Sequence, residues 1–241
     1  MDTAAEEVPP YVDHIGDSRQ YWRDIILGVN DGLVSLFLLV AGIVGGGMST
    51  SVVLLTAIAA SIAGGISMAA GEYMATKSQE EVFQSEIELE REHFIHHRQH
   101  ELDELNDMFA DLGLQEPLRS QVVEAFDQDD EALMKVMVAL EFGVVDEERR
   151  SPWVAAMFSG FLFLAGALTS VIPFMFYSLD PQTALAYAAA FSGLGLFGVG
   201  AAKTIVTRGN PWKAGVENLG VAAGGAVLSF LAGAAYERAF G

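Results

Sequence analysis

The densest chemistry in this 241-residue sequence lies between Glu72 and Glu148, where carboxylates, imidazoles and thioethers recur at helical intervals. At roughly 100° per residue, Glu86, Glu90, His93, His97, Glu101, Glu104 and Met108 fall within a stripe about 80° wide. Further on, EALMKVMVALEF puts Met134, Met137 and Glu141 on one face, at i, i+3 and i+7. Carboxylate oxygens and imidazole nitrogens suit borderline divalent cations, and thioether sulfur favours softer ions over Ca²⁺ or Mg²⁺. A run of charge is ordinarily a solvated helix face, but histidine and methionine on the acidic stripe favour ligands for a divalent transition metal.

A second set sits in apolar surroundings. GVNDGLVSLFLLVAGIVGGG, Gly28 to Gly47, carries the carboxylate Asp31 beside Asn30. An ionisable residue inside a membrane span costs about 2.5–3.5 kcal/mol on insertion scales and usually faces a bundle interior or a water path. ISMAAGEYM places Met68 and Glu72 at i and i+4, with Gly64, Gly65 and Gly71 allowing close backbone approach. Asp31, Met68 and Glu72 together have the chemistry of a metal-permeable site whose carboxylates also carry protons. Glu217 and Asn218 open a later apolar stretch and are further candidates. For Asp31 and Glu217 the plainer alternative is a capping or interfacial role near a helix end.

The elements that position these residues follow from the distribution of charge. The chain is 51% hydrophobic yet has a net charge of −19, and the two coexist because the acids are segregated. Five apolar stretches are long enough to cross a bilayer core of about 30 Å. They are Ile25–Val44, Val52–Tyr73, Trp153–Tyr177, Gln182–Thr207 and Ala214–Tyr236. The expected fold is therefore all-α: a polytopic membrane protein with five transmembrane helices and a helical cytoplasmic insert between spans 2 and 3. The expected divisions are an N-terminal tail at 1–24, spans 1 and 2 within 25–77, the metal-binding insert at 78–150, and spans 3 to 5 within 151–241.

The first 24 residues carry acids and the Pro9-Pro10 pair but no apolar core, so a disordered tail is expected and a cleaved signal is not. Cysteine is absent, which excludes disulfides, thiolate metal sites and cysteine nucleophiles. Basic residues near the span ends set orientation. Arg19 and Arg23 precede span 1, Lys77, Arg149 and Arg150 flank the acidic block, and Lys203, Arg208 and Lys213 surround the fourth loop. This places the N-terminus, the block and the TRGNPWK loop in the cytoplasm. Acids in the tail, with lysine scarce, read as an adaptation to salt and favour a prokaryotic cell membrane. Nothing in the acidic balance invites nucleic acid.

Glycine and proline are absent from Glu72 to Leu112, so span 2 is expected to leave the membrane as one helix up to Gly113. A break near Gln99 would leave each half its own pair, Glu90 with His93 and Glu101 with Glu104. Pro117 suits a first helical turn, and the polar QDD precedes a further helix.

GVNDGLVS, SMAAGEYMATKSQ and the Glu-rich helical insert resemble the vacuolar iron transporter family, ferrous iron and manganese carriers with five spans. The resemblance covers nearly all of the chain after Arg19. It implies a homodimer in the lipid bilayer that moves divalent metal out of the cytosol in exchange for protons. It also implies that Asp31 and Met68 line the pathway and that Glu90, Glu101, Glu104, Met137 and Glu141 bind metal. One position departs: in ELEREHFIHH the chain has His93 where the family pattern of spaced Glu-x-x-Glu pairs has a glutamate, with Glu92 beside it. A histidine ligand raises affinity for Ni²⁺, Zn²⁺ or Co²⁺ relative to Fe²⁺, and makes binding weaken in acid.

Glu90 to His93 is also a Glu-x-x-His motif, which di-iron carboxylate enzymes use within four-helix bundles. A membrane-anchored ferroxidase is thus the alternative. It requires two such motifs and two more helical glutamates, and it leaves Asp31 and Met68 unexplained.

Overall fold

The computed structural model describes residues 18–143, 151–176 and 178–240, with side chains from Trp22 onward. The tail expected before Ser18, and the basic side chains of Arg19, Arg149 and Arg150, lie outside the described residues. Those residues form helices and no strand. In chain order they are α1 Ser18–Gly45, α2 Thr50–His96, α3 Arg98–Asp111, α4 Leu118–Asp127, α5 Asp130–Glu141, α6 Pro152–Val171, α7 Pro181–Thr207 and α8 Pro211–Phe240. A 3-10 turn, Ile172–Met175, extends α6. Five of these helices, α1, α2, α6, α7 and α8, are long and apolar enough to cross a membrane. At 1.5 Å per residue the 47 residues of α2 span about 70 Å, so only its apolar part, 52–73, fits a bilayer core.

The chain divides into two compact units, 1–69 with 157–241, and 70–156. In the first, α1 packs against both α7 and α8, which also pack against each other. Leu33, Leu196 and Ala222 form the buried contact of these three helices. A second cluster joins Val40 and Val44 of α1, Val53, Leu54 and Ala57 of α2, and Phe174 with Ala184 and Ala188. Small residues set the approach. A Cβ on Gly32 would strike the Phe163 carbonyl of α6, and one on Gly42 would lie 2.6 Å from Ser229 Oγ of α8. Gly220 and Gly224, with the same four-residue spacing, meet no atom within 4 Å and stay exposed.

The second unit has its own apolar core: Leu105 and Phe109 of α3 against Leu133 and Met137 of α5, with Phe94, Leu102, Val122 and Phe126 packed on it. Asp129 caps α5 by accepting from the backbone N–H groups of Glu131 and Ala132. Gly113, at φ 93°, provides the left-handed turn that ends α3, and Leu114 N–H donates to the Phe109 carbonyl across it.

Of the two expected courses, one helix up to Gly113 or a break near Gln99, it is a break that forms. It falls at His97, whose φ of −135° and ψ of 27° take the chain out of helix before α3 begins. The pattern contains no breaker there; tertiary packing overrides it. With α3 folded back, Phe94 and Leu102 pack, partly buried, on the same cluster as Leu133 and Met137. Arg98, the first residue of α3, secures the turn. Its Nε donates to Asp127 Oδ1 at 2.7 Å, Nη1 to Asp130 Oδ1 at 2.8 Å, and Nη2 to the Asp127 carbonyl at 2.7 Å.

Candidate metal centre

The break at His97 decides which acids meet. In a straight helix Glu90 and Glu101 stand about 16 Å apart along the axis. Here Glu90 and His93 of α2 and Glu101 of α3 offer ligand atoms that all lie within 4.8 Å of one another. His93 Nδ1 is 3.3 Å from Glu101 Oε1 and 3.8 Å from Glu90 Oε2. Neighbouring donors around a small divalent ion with bonds of about 2.1 Å are spaced by about 3 Å, so the group closes on an ion with small side-chain shifts.

Both carboxylates are buried, Glu90 with 3% and Glu101 with 2% of its surface exposed. Buried acids are rare unless they are paired or bind metal. Glu90 Oε1 is buried and takes no hydrogen bond among the described residues. Burial pushes the Glu90 carboxyl up from 4.5 to about 8, helped by the charges of Glu101 and Glu141, a hydrogen bond shared with Glu101, and the charge of Glu104. Glu141 is raised as well, first by desolvation and then by Glu104, Glu101 and Glu86. This concentration of carboxylates, with the Glu90 carboxyl holding its proton to higher pH, is what a divalent cation relieves.

The other expected ligands are placed differently. Glu104 and Glu86 are half-buried and act on the group through their charge. Met137 is fully buried among Leu105, Phe109 and Leu133. Glu92 and His97 are exposed, and the His97 ring lies 6.2 Å from that of His93.

In the apolar unit, Asp31 is half-buried and accepts from Ser35 Oγ at 2.8 Å. Met68 packs on the cluster of Leu36, Phe163 and Ala167. Leu36 lies about 140° round α1 from Asp31, so the cluster meets a different face of α1 from the one that carries the acid. Glu72 accepts from Thr76 Oγ1 at 3.4 Å, and Glu217 is exposed on α8.

Two roles escape a reading by ligand type, that of Arg98 and the helix-joining role of Asn218. Arg98 is a cation inside an acidic block, and its signal was the neighbouring run of three acids Asp127, Asp129 and Asp130. The amide of Asn218 donates to Asn30 Oδ1 at 2.8 Å and to the Leu196 carbonyl at 2.7 Å, joining α8 to α1 and α7.

The sequence profile of the VIT family matches residues 22–234. A protein named vacuolar iron transporter 1 from Tulipa gesneriana is 31% identical over 213 residues, covering 88% of this chain and 83% of its own. The protein of the same name from Eucalyptus grandis is 31% identical over 195 residues, with 81% and 78% covered. That from Arabidopsis thaliana is 30% identical over 210 residues, with 86% and 83% covered.

Proposed function

This chain belongs to the VIT family, an integral membrane family of metal transporters, and from that premise we propose that it exports divalent transition metal from the cytosol in exchange for protons. Ferrous iron is the first substrate, in keeping with the names of the relatives, and manganese the second. His93 in the ligand group extends the range towards Zn²⁺, Co²⁺ and Ni²⁺.

The insert at 78–150 is the collecting domain, facing the cytoplasm with the N-terminus. Lys77, Arg149 and Arg150 at its borders support that side. The observation that carries the reading is the group of buried Glu90 and Glu101 with half-buried His93, in which one Glu90 oxygen takes no hydrogen bond among the described residues. Glu104, Glu141, Met137 and Glu86 supply charge or further ligands. Asp31, Met68 and Glu72 carry the transmembrane step. Asp31 binds the ion when ionised and releases it when a proton from the far side replaces it. The working form is a homodimer, supported by the unfilled face at Gly220 and Gly224. The acid-rich, lysine-poor composition favours a prokaryotic cell membrane. A ferroxidase would have to assemble its second Glu-x-x-His set from the partner of a dimer, and it gives Asp31 and Met68 no part.

The test is uptake into proteoliposomes of Fe²⁺, Mn²⁺, Zn²⁺, Co²⁺ and Ni²⁺, with and without an imposed pH gradient. Flux that rises with the gradient supports exchange. Flux of every ion at the rate of empty liposomes overturns the reading.

A further inference from the structure

Asn218 is a half-buried amide in an apolar helix, and it ties three helices together at one level. Space for it is built into α7. A Cβ on Gly200 would lie 3.0 Å from Asn218 Cβ and 2.6 Å from the Ala214 carbonyl. Its two acceptors differ in kind. The Leu196 carbonyl belongs to the α7 backbone and is a fixed point; Asn30 Oδ1 is a side chain of α1, one residue before Asp31.

Rotation of α1 is thereby fixed. Asn30 is held towards α7 and α8, and Leu33, about 60° from it on the helix, is fully buried on the same side. A different side of α1 abuts α6: a Cβ on Gly28 would lie 3.0 Å from Leu162 Cβ, and Gly32 faces the Phe163 carbonyl. Asp31, about 100° from Asn30, falls in the sector between these two contacts. Ser35, the next residue along that sector, is exposed and donates to Asp31. A small turn of α1 moves the carboxylate out of that opening and towards α6 or α8.

We infer that Asn218 is a positioning residue for transport: through its hydrogen bond to Asn30 it sets the rotation of α1 that keeps Asp31 in the open sector. This rests on Asp31 being the transport acid. It assigns Asn218 no contact with the metal.

The chain has no cysteine, so Ser35→Cys carries a single nitroxide that reports the orientation of α1 without any reference to transport. Its accessibility to oxygen, relative to a water-soluble relaxant, is measured in the otherwise unchanged chain and with Asn218→Ala, Asn218→Ser or Asn30→Ala. The expected result is the same shift, twofold or more, for all three. In the chain with Ser35 intact, metal flux falls about tenfold in Asn218→Ala and in Asn30→Ala, the scale of one lost interhelical hydrogen bond at the upper end of the measured range. The double variant is no worse than either alone. An unchanged nitroxide environment in variants that fold, or flux losses that multiply in the double variant, overturns the inference. Should Asp31→Asn transport normally while the nitroxide still shifts, the role of Asp31 fails and the control of α1 by Asn218 stands.

Discussion

His93 Nδ1 lies 3.3 Å from Glu101 Oε1, although a helix break separates the two residues. The contact exists because α3 folds back on α2, and it turns two ligand pairs of a notional straight helix into one three-ligand group. A group made this way depends on the fold of its domain as well as on its ligands.

The first consequence concerns pH. The Glu90 carboxyl, pushed up from 4.5 to about 8, keeps its proton in the folded chain where the unfolded chain has lost it. The folded state binds the extra proton between those values, so the stability of the metal-free protein falls as pH rises from about 4.5 towards 8. Metal needs the carboxylate, so affinity climbs over the same window, and each ion bound near neutral pH releases about one proton. Calorimetry in buffers of different ionisation enthalpy measures that release. Binding heats that are the same in all buffers would contradict it.

Removing ligands separates collection from passage. Glu101→Ala with Glu104→Ala deletes one member of the group and one of its charged neighbours, and metal affinity should fall by tenfold or more, about 1.4 kcal/mol for each factor of ten. Transport is expected to slow, because the membrane step remains. A folded double variant with no flux at all would show that the two tasks are not separable.

Arg98→Ala leaves every candidate ligand in place and removes three hydrogen bonds to the turn between α4 and α5. Arg98 is partly exposed, so solvent screening limits its contribution to stability. The expected outcome is a lower thermal midpoint with weaker metal binding, and Arg98→Lys should recover only part of both because lysine lacks the planar fork. Metal titration of the three proteins checks this, and identical affinities would mean that α3 holds its place without the clamp.

The glycines make opposite predictions at the same spacing. Gly32→Ala drives a methyl group into the Phe163 carbonyl, and misfit of this kind costs about 1–3 kcal/mol or more. A Cβ on Gly224 meets nothing within 4 Å and the residue is exposed, so Gly224→Leu should leave the protomer folded while splitting a homodimer that packs on this face. Light scattering in mild detergent distinguishes the two. A Gly224→Leu variant that stays dimeric would remove α8 from the interface.

Much of this architecture is legible in the sequence. Hydropathy alone finds the five long apolar helices, since burial in lipid demands uninterrupted apolar runs, and Asp129 before α5 is a recognisable cap. A break near Gln99 is an option the sequence leaves open, but its position at His97 is not legible, because no glycine or proline marks it and packing of α3 on α5 decides it. For the same reason the acidic stripe of a straight helix offers candidate ligands but not their grouping: Glu101 lies with Glu90 and His93, while Glu104 is half-buried beside them. Met137 shares the helical face of Glu141, yet its side chain lies in an apolar cluster, a distinction that periodicity does not contain.

The central claim is that Asp31 passes both metal and protons. Asp31→Asn preserves size and much of the hydrogen bonding to Ser35 while removing the charge and the titration. The decisive measurement is the simultaneous record of metal and proton flux in proteoliposomes under an imposed pH gradient, for the parent and for Asp31→Asn, with Met68→Ala beside them. The account predicts coupled fluxes of opposite direction in the parent, loss of both in folded Asp31→Asn, and weakened transport or an altered preference among metals in Met68→Ala. Near-parental metal flux with its accompanying proton flux in Asp31→Asn would contradict it, and would make the acid a structural residue of α1.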